Sequence, residues 1–246
     1  MSDSADEPRD PATGLPRYRT EPVSFTRRGG RLGERQQRVW DQLADDMVLD
    51  VPQGGPSTSV HPDYRFDPEA VFGRRAPLVV EIGSGYGEAL SHAATEHPEW
   101  DFLGIEVYLP AVAQTLLHVR REGLTNLRLA VANAPEMLTT AIAPGSLHEL
   151  RIWFPDPWHK TRHHKRRLIT DAFAKIAAQA LPPGGVWRAA TDWADYGDQI
   201  AEVIARSEDF DGGRSERFAG RPVTRFETKG LKVGRDIHDF TAVRRP

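Results

Sequence analysis

Between Pro77 and Ser207 the chain repeats one arrangement five times: a short apolar run followed by a stretch with helical spacing. The apolar runs are Leu78–Ile82, Phe102–Val107, Asn126–Ala132, His148–Phe154 and Val186–Thr191. The helical stretches end at about Glu96, then cover Ala111–Arg121, Pro135–Ile142, Arg166–Leu181 and Trp193–Ser207. Runs this short and this apolar read as buried strands. Their alternation with helices predicts an α/β fold with a mostly parallel sheet and right-handed crossovers. After Gly213 the strand-like runs Val223–Thr228 and Asp236–Val243 predict a closing antiparallel hairpin, which brings the sheet to seven strands.

The remaining chain sets limits. Its 246 residues suffice for one large α/β domain with an extension. Residues 1–16 are polar and proline-rich and read as a disordered tail. Residues 17–76 carry Arg17, Arg19, Arg27, Arg28, Arg31 and Arg35 against Glu21 and Glu34, then a helical pattern from Arg35 to Leu49. This is a basic arm with a helix, and 77–246 is the main domain. The absence of cysteine excludes a disulfide framework, a thiolate metal site and a cysteine nucleophile, and fits a cytoplasmic protein. The acidic N-terminus does not read as a signal peptide, and no apolar run reaches membrane-spanning length. Net charge is −3, so any surface for a polyanion must be local.

A ligand site is expected where the first strand meets Gly83-Ser84-Gly85-Tyr86-Gly87. Glycines there let backbone amides approach a ligand closely. Glu106, about 20 residues on at the end of the second strand, suits a ribose diol, for a nicotinamide dinucleotide or for S-adenosyl-L-methionine alike. Glu81 separates the two: it would repel a pyrophosphate but attract a sulfonium and an ammonium. Asn133 is placed to hydrogen-bond an adenine edge. Together these favour S-adenosyl-L-methionine, with a nicotinamide oxidoreductase as the alternative.

Beyond the fourth strand lies F-P-D-P-W-H-K-T-R-H-H-K-R-R, residues 154–167. Pro155 and Pro157 hold the residues before them, Asp156 included, to extended conformations. One fixed acid is followed by Lys160, Arg162, Lys165, Arg166 and Arg167, interleaved with His159, His163 and His164. A plain turn followed by a solvated basic face would give the same letters. The histidines lack metal-ligand spacing, so no metal is expected.

These segments, with Gly104-Ile105-Glu106-Val107, Ala190-Thr191-Asp192-Trp193 and Thr224-Arg225-Phe226-Glu227, resemble in order the motifs of bacterial tRNA (guanine-N7-)-methyltransferases. Ser24-Phe25 and Arg27 to Leu32 resemble that family's basic arm. The resemblance implies a Rossmann-like class I S-adenosylmethionine-dependent methyltransferase that methylates N7 of the variable-loop guanine (guanosine-46) of tRNA, and the sequence leaves monomer or homodimer open. It implies cofactor contacts from Glu81, Gly83, Gly85, Glu106, Asn133 and Asp156, with Asp156 the active-site acid. Lys160, Arg162, His163, His164, Lys165, Arg166, Arg167, Asp192, Thr224, Arg225, Phe226 and Glu227 match substrate contacts. Asn133 stands where many members carry Asp, and the region from Asp50 to Asp63 looks like an insertion. Asp192 is also a natural helix N-cap before Trp193-Ala194-Asp195. Trp158 reads as packing more than as a base-stacking platform.

Overall fold

The computed structural model describes residue 25, residues 30–55 and residues 57–246. The expected tail and much of the arm therefore lie outside the described residues. Seven strands form one sheet: β1 (Leu78–Ile82), β2 (Asp101–Glu106), β3 (Leu127–Val131), β4 (Glu149–Trp153), β5 (Val186–Thr191), β6 (Phe210–Ser215) and β7 (His238–Arg244). Their order is β3-β2-β1-β4-β5-β7-β6, with β1 to β5 parallel and β7 antiparallel to both β5 and β6. The order reverses between β1 and β4, and their carboxyl ends open there as the crevice in which such sheets hold ligands.

The helices are α1 (Glu34–Met47), α2 (Pro68–Phe72), α3 (Glu88–Glu96), α4 (Leu109–Glu122), α5 (Ala134–Glu136, continued by a π-helical turn at Met137–Ala141), α6 (Asp171–Ala180), α7 (Ala194–Arg206) and α8 (Arg225–Lys232). One face of the sheet packs Val79, Phe102, Leu127 and Leu129 against α3 and α4. The other packs Val80, Leu103, Leu150 and Ala189 against α6 and α7. Helix α1 is built into the first layer through the buried Val39 and Ala44. The chain leaving it runs beside β3, where Leu49 N–H donates to the Leu129 carbonyl at 2.7 Å.

Two expectations near the end of the chain are corrected. Val223–Thr228 does not form a strand: the chain enters α8 there, and the Thr224 hydroxyl accepts the Glu227 N–H at 3.2 Å as its N-cap. The strand on the outer side of β7 is β6, whose Phe-Asp-Gly-Gly-Arg-Ser sequence lacks a strand pattern. Gly212 is needed in it because a Cβ there would lie 2.2 Å from the Thr241 carbonyl oxygen on β7.

Candidate active site

The turn after β1 has positive φ at Gly83 (67°) and Gly85 (54°), where a side chain would strain the backbone. A Cβ built on Gly83 meets nothing within 4 Å, so the turn borders open space. The Gly85 N–H donates to Glu106 Oε2 at 2.9 Å, while Glu106 Oε1 accepts the N–H groups of Val107 (2.7 Å) and Tyr108 (2.9 Å). Burial raises the Glu106 pKa, the three N–H bonds oppose this, and the charge of Asp156 raises it further. The two acids predicted for cofactor and chemistry are therefore close enough to sense one another.

Glu81 is buried at the end of β1. Loss of water pushes its pKa up to about 7, against the pull of the Arg151 cation and a hydrogen bond donated by Trp153 Nε1 at 3.1 Å. A desolvated carboxylate gains when a cation arrives beside it. With the open glycine turn and the fixed Glu106, it fits a ligand bearing a ribose at one end and positive charge at the other.

At the third strand, Asn133 Nδ2 donates to Glu136 Oε1 at 2.7 Å, so the amide turns its nitrogen inward and keeps its oxygen as an acceptor. The segment that looked like an insertion reaches this point: the Thr58 carbonyl accepts the Asn133 N–H at 2.6 Å, and Val60 N–H donates to Glu136 Oε2 at 3.1 Å. Sequence reasoning assigned no role to these residues, because nothing local links positions 58 and 133.

The Phe-Pro-Asp-Pro turn differs from expectation at its first residue. Phe154 precedes proline yet has φ 52°, and Trp158 has φ 46°. Phe154 closes the pairing of β4 through its N–H to the Ala190 carbonyl at 2.8 Å, and its ring lies 5.4 Å from that of Phe226. Packing thus overrides the preference of the residue before proline. Asp156 is exposed. The Trp158 ring carries the Arg166 guanidinium at 3.8 Å, with His163 edge-on at 5.9 Å.

The basic run forms a 3-10 turn, Thr161–Arg166, that presents Lys160, Arg162 and Lys165 to solvent. Arg166 donates to the Phe25 carbonyl at 3.2 Å, which ties the arm to this turn. Arg167 stands apart from its neighbours. It is 4% exposed and donates to the Pro157 carbonyl (2.8 Å), Gln199 Oε1 (2.9 Å) and Asp195 Oδ2 (2.8 Å), with His164 at 3.1 Å.

Glu227 is likewise buried, bonded to Arg221 Nη1 at 2.6 Å and paired with Arg217. Thr224 is spent as a cap, whereas Phe226 and Arg225 are exposed, with Arg225 paired to Glu88 at the start of α3 (3.0 Å). Asp192 is not a helix cap: Trp193 holds that position without a side-chain bond, and Asp192 Oδ2 accepts from Arg235 at 2.8 Å. Segment 217–235 therefore straps the carboxyl edge of the sheet from α3 to β5. Among the described residues no cluster of acids and histidines suits a metal, and no helix is long and apolar enough to cross a membrane.

A parallel sheet closed by an inserted antiparallel strand, with its glycine turn and acidic strand ends facing one crevice, defines a class I methyltransferase fold. The same fold occurs in the 16S rRNA methyltransferase KamB, with TM-score 0.52, 16% identity, and 72% of this chain and 92% of that chain covered. It also occurs in the aminoglycoside resistance methyltransferase NpmB1, with TM-score 0.51, 12% identity, and coverages of 74% and 95%. Residues 75–240 match a family model described as putative methyltransferase. Proteins named tRNA (guanine-N(7)-)-methyltransferase are 48% identical in Paenarthrobacter aurescens strain TC1, over 94% of this chain and 79% of that one, and 47% identical in Cutibacterium acnes, over 92% and 84%. The chain belongs to the tRNA (guanine-N(7)-)-methyltransferase family. This removes the oxidoreductase alternative.

Proposed function

We propose that this protein transfers a methyl group from S-adenosyl-L-methionine to N7 of the variable-loop guanine of tRNA, in the cytoplasm. The observation that carries the reading is the glycine turn closed on Glu106 by the Gly85 N–H, with the exposed Asp156 near enough for its charge to be felt there and the exposed basic run beginning at Lys160. S-adenosylmethionine supplies an electrophilic methyl group on a positively charged sulfur. Glu106 holds the ribose hydroxyls, the carbonyl of Asn133 accepts from the adenine amine, and Glu81 offers negative charge to the cationic end.

Guanine N7 has an in-plane lone pair and no proton, so its attack requires no general base. It requires alignment, and stabilisation of a purine that becomes cationic. Asp156 supplies both by accepting hydrogen bonds from the N1–H and N2–H₂ edge, whose donors grow more acidic as the ring gains charge. Lys160, Arg162 and Lys165 hold the tRNA backbone. Arg166 and the histidines shape the turn, and Arg167 anchors it. Asp192 holds Arg235 and with it the far end of the strap, while Arg225 and Phe226 offer charge and an aromatic face.

Incubation of the protein with radiolabelled S-adenosylmethionine and unmodified tRNA, followed by nucleoside analysis, tests the function. Label is expected in 7-methylguanosine from the variable loop; label in another nucleoside, or none, overturns it.

A further inference from the structure

Arg221 takes part in no step described above, yet its side chain is 0% exposed beneath the Phe154 turn. Its guanidinium spans three elements. Nη1 donates to Glu227 of α8 at 2.6 Å, and Nη2 donates to both carboxylate oxygens of Asp239 on β7, at 2.8 and 2.7 Å. The planar cation also lies over the rings of Trp153 (5.3 Å) and Phe154 (5.2 Å) at the end of β4. Trp153 in turn donates to Glu81 at 3.1 Å.

We infer that Arg221 is a positioning residue for methyl transfer: by fixing the Phe154 turn it sets the place of Asp156. The inference rests on the function proposed above. A bulky residue at φ 52° persists only where its surroundings impose that conformation. Here the surroundings are Arg221 on the ring, Phe226 beside it and the Ala190 carbonyl on its N–H. Asp156 follows after a single proline, whose fixed φ passes the direction of the turn on to it. A fork with a flat face is what the place demands, since it must meet two carboxylates and two rings together. An ammonium keeps the charge but supplies neither.

The test is Arg221→Lys, with folding checked by circular dichroism and cofactor affinity by calorimetry. Single-turnover methyl transfer is then measured at saturating tRNA and cofactor, in the wild-type and in the Asp156→Asn background. In the wild-type background the rate should fall about 100-fold, the scale of a small misplacement of reacting groups, while cofactor affinity holds within about twofold. In the Asp156→Asn background the same change should cost less than about threefold, because the group it positions is already disabled. A folded Arg221→Lys within about threefold of wild type overturns the inference, as does an equal loss in both backgrounds. If Arg221→Lys does not fold, Asp239→Asn, which frees one side of the fork, is judged by the same outcomes. Failure of the wild-type protein to methylate tRNA would instead remove the proposed function itself.

Discussion

Glu106 and Asp156 are near enough for the charge of one to raise the pKa of the other, yet the two sides of the crevice are held by different means. Glu106 is fixed by three backbone N–H groups, two from the residues that follow it and one from the adjacent glycine turn. Asp156 sits on a turn whose shape is imposed by Arg221 and Phe226, both from a later part of the chain, and by Arg167 at the far end of its own run. A site made of strand ends and main-chain amides is built as soon as the sheet forms. A site made of buried ion pairs depends on every partner arriving, and losing one leaves another charge uncompensated. Cofactor binding should therefore tolerate damage that abolishes turnover.

The largest test of this contrast is Asp156→Asn. Removal of one oriented electrostatic contact should lower single-turnover methyl transfer about 10²–10³-fold while the fold and tRNA affinity persist. A folded variant within about threefold of wild type would make Asp156 only a turn residue. Next comes Glu106→Ala, which loses charge-assisted ribose bonds worth roughly 1.5–3 kcal/mol, so calorimetric affinity for S-adenosylmethionine should fall about tenfold or more. Unchanged affinity would take Glu106 out of the site.

Glu81 offers a third test through pH. Its folded pKa of about 7 lies above its ordinary value of 4.5, so the ionised form is the one that burial penalises. The cofactor-free protein should gain stability from this group as pH falls from about 7 towards 4.5, with the penalty fully present above that window. Affinity for a cationic cofactor should run the other way, dropping by up to about tenfold between pH 8 and pH 6. Glu81→Gln should flatten both profiles, and a pH dependence that survives it would assign the titration to another group.

The smallest effect concerns the basic turn. Neutralising Lys160, Arg162 and Lys165 together should flatten the salt dependence of tRNA binding by up to about one unit of slope per lost phosphate contact and leave cofactor affinity alone. Arg167→Ala should instead lower the melting temperature. An unaltered salt slope in the triple variant would return the exposed run to a solvated face.

The parallel core was legible because strand and helix periods differ and each was written in consecutive residues. The positions of Glu81 and Glu106, the acids proposed to meet the cofactor, were legible for the same reason: they lie at the ends of strands. Val223–Thr228 reads as strand because Val, Thr and Phe favour strands, although a Thr followed three residues later by Glu is also the signature of a helix start. Even that signature was half kept, since the Glu227 side chain turns to Arg221 and Arg217. Arg167 was indistinguishable from its exposed neighbours, because basic letters in a row do not say which one points inward. Arg221, Arg235 and Asp239 carry no local pattern at all. Their hydrogen-bond partners lie 6 to 43 positions away, and only the folded sheet brings them together.

The place of β7 in the sheet sets an order of events during synthesis. β6 is made before β7, yet β7 lies between it and β5, so β6 has no seat in the sheet until the later strand has left the ribosome. The parallel strands, the glycine turn and Glu106 can already be assembled by then, since folding can follow synthesis from the N-terminal side. Asp239 rides in on β7, and with it comes the second carboxylate for Arg221. A nascent chain that lacks this strand would have the glycine turn and Glu106 in place while Arg221, and the Phe154 turn above it, still waited for a partner.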